Sequence, residues 1–362
     1  MSDMIKKEST ERILHLDILR ILAIFLVIFN HTGERGYTLF INEAEPLRYF
    51  LYMGCSVLCK IAVPLFFMIS GALLLSKEES FKQLFFKRIL RMTVVLILAS
   101  VPYYIWLHRS QGMHITDFFT FIYSNCASTS LWYLYSYIGL LMLLPFLRSM
   151  VKGMKPRDYV YLFIGYIVFV GVLPCLEYYL WGDNVTLNPS FSATLFVTQN
   201  VFFALIGYYI EHVMDEKYYT GRTALLWVAL SLAAVVVTCF MTYYQAQRTE
   251  ILTTDQQERF FNAFICIPAM TVYFISKLYC SRHSMPKGHK ALSVIGSSVF
   301  GVYLIEKIIR ALTTSVYGLL LPYLGSFMAS TIWCLVTGCV AFLIIVLLKN
   351  IPILKRIVNM FI

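Results

Sequence analysis

The chain has 362 residues, of which 59% are hydrophobic and 14% are charged. Soluble globular chains carry about 45–50% apolar and about 25% charged residues, so this composition excludes a soluble globule, a disordered chain, a collagen and a coiled coil. The sequence therefore predicts a polytopic membrane protein. Its net charge of +10 indicates basic loops rather than a nucleic-acid-binding surface.

Ten segments are long and apolar enough to cross a membrane as helices, which takes about 20 residues each. We expect an all-α bundle of about ten spans that forms a single domain over residues 1–362, with no soluble domain attached. The predicted spans are 14–33, 50–75, 88–108, 131–150, 158–181, 192–211, 223–244, 259–279, 291–311 and 326–348.

The Lys and Arg residues of the connections predict the orientation, because basic residues concentrate in cytoplasmic loops. With the N-terminus in the cytoplasm, the cytoplasmic segments hold 21 Lys and Arg and the opposite side holds six. Both termini are therefore predicted to be cytoplasmic, in a multi-pass protein of the plasma or inner membrane. The three Lys and Arg residues left out of this count, Arg20, Lys60 and Lys307, fall inside predicted spans.

The first span carries three ionisable residues, Asp17, Arg20 and His31. Eleven residues of helix turn through three full turns plus about 20°, so Arg20 and His31 share one face about 16 Å apart along the axis. Ionisable residues inside a membrane usually face a bundle interior or a water-filled cavity, and they mark functional sites. The alternative is that Arg20 extends to the inner headgroups and His31 simply caps the outer end.

Lys60 lies one turn before Pro64, which is expected to free a carbonyl and kink the second span. We expect Lys60 to pair with a carboxylate inside the bundle, and Glu306 is the first candidate. Such a pair has either a structural or a functional role. In the ninth span, Arg310 lies one turn after Glu306 and is placed to neutralise it. The alternative is that this span ends near Ile305 and leaves Glu306 in water.

The third span begins with the basic run FFKRILR, which contains Lys87, Arg88 and Arg91. These residues serve either as positive-inside anchors or as a clamp for a pyrophosphate, since Arg binds phosphate oxygens bidentately. Trp132 and Tyr133 open the fourth span, and an aromatic belt at the outer interface explains both. The nine scattered Cys residues show no zinc-like spacing, so no metal site is expected.

The spacing R-x10-H in LDILRILAIFLVIFNH resembles the first-helix signature of the acyltransferase 3 family, which comprises integral-membrane O-acyltransferases that modify surface polysaccharides. Four further segments resemble motifs of the family and occur in the same order: PLFFMISGALL, FFKRILR, SLWYLYSYIGLLMLLPFLR and SSVFGVYLIE. The tail IPILKRI also resembles the family. Ten spans with cytoplasmic termini are the family's architecture, so the resemblance covers essentially the whole chain.

The resemblance implies transfer of an acyl group, in this family usually acetyl from acetyl-CoA, to a hydroxyl of a cell-surface glycan or lipid-linked sugar. It makes Arg20 and His31 the essential pair. It matches Arg88 and Arg91 to the basic motif, Ser70 and Gly71 to the span-two motif, and Tyr303 to the span-nine motif. The expected partners are acyl-CoA, the glycan acceptor and membrane lipid. No permanently bound cofactor and no nucleic acid are expected, and the oligomeric state is open.

The chain departs from the family at two places. Many relatives have His where this chain has Ser130, and His again where it has Glu306. A role for His at either position does not carry over. The chain also lacks the esterase-like and racemase domains that some relatives append, which favours a stand-alone transferase.

Acyl transfer to a hydroxyl needs a general base and stabilisation of the developing oxyanion. We expect His31 to be that base or a transient acyl carrier, because its unperturbed pKa suits neutral pH. Glu306 is the candidate to orient it, although the sequence does not place the two helices side by side. Arg20 is expected near a CoA phosphate or the thioester. The open alternatives are a secondary transporter and a lipid-linked glycan flippase or assembly factor.

Overall fold

A computed structural model describes residues 13–108, 114–126, 128–182, 184–188, 190–191, 194–248, 258–283 and 289–351. The tail motif IPILKRI lies outside the described residues except for its first residue. Several basic residues on which the predicted orientation depends also lie outside them, among them Lys6, Lys7, Arg12, Lys355 and Arg356.

The described residues form helices joined by turns and loops, with no strand among them, which confirms the predicted all-α fold. The α-helices are α1 Leu14–Asn30, α2 Pro46–Cys59, α3 Ala62–Leu74, α4 Phe81–Leu84, α5 Leu90–His108, α6 Ile115–Ser124, α7 Trp132–Gly153, α8 Pro156–Tyr166, α9 Leu173–Trp181, α10 Thr194–Val197, α11 Gln199–Tyr208, α12 Gly221–Arg248, α13 Cys266–Arg282, α14 His289–Leu312 and α15 Thr314–Asn350. Short π-helical turns join or extend some of these helices. They are Phe85–Ile89, Ile167–Val172 and Tyr209–Val213.

Within the described residues, six helical stretches are long and apolar enough to cross a membrane. They are Pro46–Leu74, Trp132–Gly153, Pro156–Trp181, Gly221–Arg248, Ala291–Leu312 and Thr314–Asn350. The structure thus supports a multi-pass bundle, and the number of ten spans stays a prediction. Helix α6 was not predicted from the sequence, because its ten residues are too few to span the hydrocarbon core.

The second predicted span is divided into two helices near its middle. Helix α2 ends at Cys59 and α3 begins at Ala62, so the break falls at Lys60 and Ile61. Pro64 has no N–H to donate to the carbonyl of Lys60, which an unbroken helix would require. The position of the break therefore follows from the proline, as the sequence predicts.

The last helix is also interrupted. Gly325 has φ +71°, a left-handed conformation that L side chains rarely adopt, and it divides the stretch Thr314–Asn350. The part that follows Gly325 coincides with the predicted span 326–348. The part that precedes it adds a helical segment that the sequence did not predict.

Helices α3 and α11 pack backbone to backbone through two glycines. Gly71 on α3 lies against the backbone of Ala204, and Gly207 on α11 lies against the backbone of Met68. A Cβ atom at either glycine would overlap that backbone, so small residues are required on both helices. This contact gives Gly71 a packing role.

Helix α1 lies in the middle of the bundle, where it packs against α3, α13, α14 and α15. Leu19 and Ala23 belong to the apolar cluster around α3 and α11, whereas Ile24 and Ile28 belong to a second cluster around α14 and α15. The helix that carries the predicted essential pair is therefore fixed on several sides.

Candidate functional site

A cavity of about 560 Å³ runs through the bundle beside α1. Its lining includes His31 and Lys60 toward one end, and Lys77, Lys87 and Arg91 toward the other. We call the second end the basic end. By the predicted orientation it is the cytoplasmic end, and His31 lies toward the outer face.

The cavity wall is strongly basic. It includes Arg20, Lys60, Lys77, Lys87, Arg88 and Arg91, and no Asp or Glu side chain is among the described residues that line it. Such a wall with low-dielectric surroundings attracts anions. A ligand with several negative charges is the natural occupant of the basic end.

His31 follows directly after the last residue of α1 and pairs with a buried carboxylate. Its Nδ1 atom lies 2.8 Å from Oε1 of Glu306 on α14. The Glu306 side chain is completely buried, whereas that of His31 is 20% exposed and lines the cavity. Because Nδ1 is engaged, Nε2 is the ring nitrogen that a substrate can reach. A carboxylate on one ring nitrogen fixes the tautomer and orientation that a base needs at the other.

Two further groups surround the carboxylate of Glu306. The Ser130 hydroxyl donates to Oε1 at 3.3 Å, and the guanidinium of Arg310 lies 3.5 Å from Oε2. Arg310 therefore compensates the charge of a carboxylate held away from water, as the i,i+4 spacing predicts. The alternative in which Glu306 lies in water is wrong.

The turn that carries Ser130 is anchored to α14 at two points. The Tyr303 hydroxyl donates to the Ser130 carbonyl at 2.5 Å, and the Lys307 ammonium donates to the Ser128 hydroxyl at 2.9 Å. These bonds hold Ser130 against Glu306. Tyr303 also lines the cavity. Its side chain therefore forms part of the wall and also holds the turn that places Ser130 beside Glu306.

Arg20 lies further along the same cavity wall as His31. Its guanidinium is bonded to Asp17, which is buried and lies one turn earlier on α1. The backbone of Gly296 on α14 packs against the Asp17 side chain, and a larger residue there would collide with it. Asp17 therefore balances the charge of Arg20 from behind the wall and leaves Arg20 facing the cavity.

Arg88 is held by a carboxylate that the sequence did not identify. Its Nε donates to Glu79 at 2.9 Å and its Nη2 at 2.5 Å, while Nη2 of Arg148 donates to the same carboxylate at 2.9 Å. Mainly through the hydrogen bonds from Arg88, the pKa of Glu79 is lowered to about 2. Glu79 thus lies between Arg88 in the cavity wall and Arg148 beside it.

Arg91 differs from Arg88 because no carboxylate of the described residues pairs with it. Its Nε atom is buried and has no hydrogen-bond partner among them. Lys77 and Lys87, also at the basic end, form no ion pair within the described part of the chain. The basic end therefore presents three cations whose charge is not compensated locally, and they are available to an anionic ligand.

Ser70 and the tyrosines of α7 form the middle of the cavity. The Ser70 hydroxyl donates to the Phe66 carbonyl at 2.7 Å, and its side chain lines the cavity together with Tyr133 and Tyr137. The two tyrosine rings stack at 5.9 Å between centroids. An uncharged, flexible part of a ligand fits this stretch better than a charged one.

Lys60 does not pair with Glu306, so that expectation is wrong. Its ammonium donates to Glu258 at 2.6 Å and lies 5.2 Å from the ring centre of Tyr37. Glu258 lies outside the helices, two residues before the buried Phe260, and no pattern in the sequence marked it as a partner. Glu306 is instead taken by His31, Ser130 and Arg310.

The described residues contain no group of three or more His, Cys, Asp or Glu side chains that is suited to hold a metal ion. Trp132, assigned from the sequence to an aromatic belt, lies in the cavity wall with 45% of its surface exposed. Asn30, Gln199 and Asn262 also line the cavity, although the sequence did not single them out.

Comparison with known proteins assigns the chain to a family. No curated protein and no solved structure matches the chain. The sequence model of the family Acyl_transf_3, described as an acyltransferase domain, matches residues 13–349, nearly the whole chain. The protein is a membrane acyltransferase, and it belongs to the acyltransferase 3 family.

Proposed function

We propose that the protein transfers an acetyl group from acetyl-CoA to a hydroxyl of a cell-surface glycan or lipid-linked sugar. The observation that carries this proposal is the shared cavity. A His31–Glu306 pair lies toward one end of it, and uncompensated cations lie at the other. A base at one end and a polyanion site at the other match an acyl-CoA, whose reactive thioester and phosphates are joined by a long uncharged arm.

The basic end would bind the phosphates of CoA. Arg91 lines the cavity and no carboxylate of the described residues pairs with it, so its guanidinium is available to a phosphate, and Lys77 and Lys87 add two positive charges. Arg forks bind phosphate oxygens bidentately, and such charge-assisted hydrogen bonds are stronger than neutral ones. Arg88 contributes less to this site, because Glu79 already occupies its fork.

The pantetheine arm would lie along Ser70, Tyr133 and Tyr137, with the thioester toward His31. Arg20 lies between the two ends on the same wall, about 16 Å along the α1 axis from His31. In this position it would contact either the nearest phosphate or a polar group of the arm. The pantetheine arm of acetyl-CoA would extend through the cavity from the basic end, and the acceptor would approach the thioester from the His31 end.

At the reacting centre, Nε2 of His31 would take the proton of the acceptor hydroxyl as the hydroxyl oxygen attacks the thioester carbon. The carbonyl π electrons move onto its oxygen and form a tetrahedral oxyanion. Collapse re-forms the C=O bond and expels the CoA thiolate, which takes the proton from His31. The products are the ester and CoA. Glu306 would hold the ring and stabilise its transient positive charge. A transient acyl-His31 intermediate is the alternative that the sequence left open.

The proposal is tested with purified protein in lipid nanodiscs, [14C]acetyl-CoA and a lipid-glycan extract of the expression host as acceptor source. We expect label in the glycan fraction and stoichiometric release of CoA thiol from the wild type. We expect neither from His31→Ala, with CoA binding retained. Full transfer by folded His31→Ala would refute the mechanism. Failure of the wild type to transfer label, with saturable uptake of a solute into proteoliposomes, would favour a transporter.

A further inference from the structure

We propose that the side-chain amide of Asn30 is the donor that stabilises the tetrahedral oxyanion beside His31. This inference rests on the proposed function, because it assigns one more group of the same reacting centre. It starts from an amide in the cavity wall that the rest of the structure leaves unused. Asn30 lines the cavity, and its Oδ1 atom is buried with no hydrogen-bond partner among the described residues.

The burial of Oδ1 determines which end of the amide faces the cavity. Because the oxygen is enclosed by protein, Nδ2 is the atom through which Asn30 can reach the space it lines. Asn30 directly precedes His31, so their Cα atoms are about 3.8 Å apart. Both side chains nevertheless line the same cavity, which places the Asn30 amide and the His31 ring along one stretch of its wall.

The backbone N–H groups of His31 and Thr32 are already used within the end of α1. The His31 N–H donates to the Val27 carbonyl at 3.1 Å, and the Thr32 N–H donates to the Phe29 carbonyl at 3.0 Å. Helix α1 also ends here with its C-terminus, whose partial negative charge favours an imidazolium and disfavours an oxyanion. Both features favour a side-chain donor over the backbone at this helix end.

Three other polar groups near the pair already have partners. The Ser130 hydroxyl donates to Glu306, the Tyr303 hydroxyl donates to the Ser130 carbonyl, and the Lys60 ammonium is held by Glu258. Asn30 is the cavity-lining amide adjacent to His31 in the chain. Donors that are fixed before the reaction stabilise an oxyanion most, because nothing has to reorganise as the charge forms.

The test compares Asn30→Ala and Asn30→Asp with the wild type in the nanodisc reaction with acetyl-CoA and the lipid-glycan extract. Asp keeps the shape of Asn but has no amide proton to donate. Both variants should lower kcat by roughly 10²–10³-fold, as removal of one oxyanion donor does elsewhere. The KM for acetyl-CoA and the Kd for CoA should change little, because the contact forms only in the transition state.

A matched control is Asn200→Ala. This amide donates to the Ser136 carbonyl at 3.2 Å and is not part of the cavity wall, so kcat per folded molecule should stay at the wild-type value. A kcat for Asn30→Ala within about threefold of the wild type would overturn the inference, and so would an equal loss of kcat and CoA affinity. If the folded wild type transfers no label, the proposed function itself fails. If the wild type is active and His31→Ala is inactive, the proposed function holds, and the result for Asn30→Ala then tests the oxyanion donor alone.

Discussion

Nδ1 of His31 and Oε1 of Glu306 lie 2.8 Å apart, although 275 residues separate them in the chain. The contact joins the end of α1 to the C-terminal third of α14. Glu306 is fully buried; the Ser130 hydroxyl also donates to Oε1, and the Arg310 guanidinium lies 3.5 Å from Oε2. This fixed geometry allows the role of Glu306 to be tested separately from that of His31.

We expect Glu306→Gln to lower kcat by about 10²–10⁴-fold with little change in the Kd for CoA. Gln fills the same volume but carries no charge to stabilise an imidazolium, and its amide can select the wrong tautomer of His31. The rate of CoA release and the binding of CoA are measured side by side. Glu216→Gln, on the exposed turn Glu216–Tyr218, is the control. A Glu306→Gln variant with wild-type kcat would show that the carboxylate only supports packing.

The basic end offers a prediction about donor affinity. Arg91→Ala should raise the KM for acetyl-CoA about 10–100-fold with kcat nearly unchanged, because charge-assisted hydrogen bonds contribute about 1.5–3 kcal/mol each. Arg88→Ala should raise KM less, since Glu79 already engages its guanidinium. Lys152→Ala is the control, because Lys152 is exposed and pairs with Glu78 outside this cavity. A larger effect from Arg88 than from Arg91 would contradict the assignment.

Glu79 links stability to pH at the basic end. Its pKa is about 2 in the folded protein, mainly because Arg88 donates to it, against an ordinary value of 4.5. The folded state therefore binds fewer protons than the unfolded state between these values. The contribution of Glu79 is complete above about pH 4.5 and is lost as the pH falls toward 2.

At pH 7, Glu79→Gln should lower the free energy of unfolding by about 1–3 kcal/mol, since two guanidinium groups lose their charged acceptor. Thermal unfolding at a series of pH values should show the difference from wild type shrinking below pH 4.5. Glu78→Gln is the matched control, because the Glu78 side chain is 86% exposed and its pair with Lys152 should contribute little. A difference that does not change with pH would exclude the carboxylate as its source.

The sequence predicts most of what helix geometry alone determines. The shared face of Arg20 and His31 follows from 100° per residue, and the break before Pro64 follows from its missing N–H. Contacts between distant segments are not predictable in this way. Local spacing suggested Arg310 for Glu306, but it gave no information about Glu79 beside Arg88 or Glu258 beside Lys60. Gly71 looked like part of a functional motif, and only the approach of Ala204 shows its packing role.

The sequence predicts that Lys60 pairs with Glu306, whereas in the structure it pairs with Glu258. A double-mutant cycle distinguishes these two pairings. Each side chain is about one-fifth to one-quarter exposed, and Nζ lies 2.6 Å from Oε2. Lys60→Met and Glu258→Gln should each lower the unfolding free energy by about 1–3 kcal/mol, because the partner is left unpaired. The double variant should lose less than the sum of the two, with a coupling energy of about 0.5–3 kcal/mol in thermal unfolding. The same cycle between Lys60 and Glu306 should be additive, and coupling there would restore the pairing expected from the sequence.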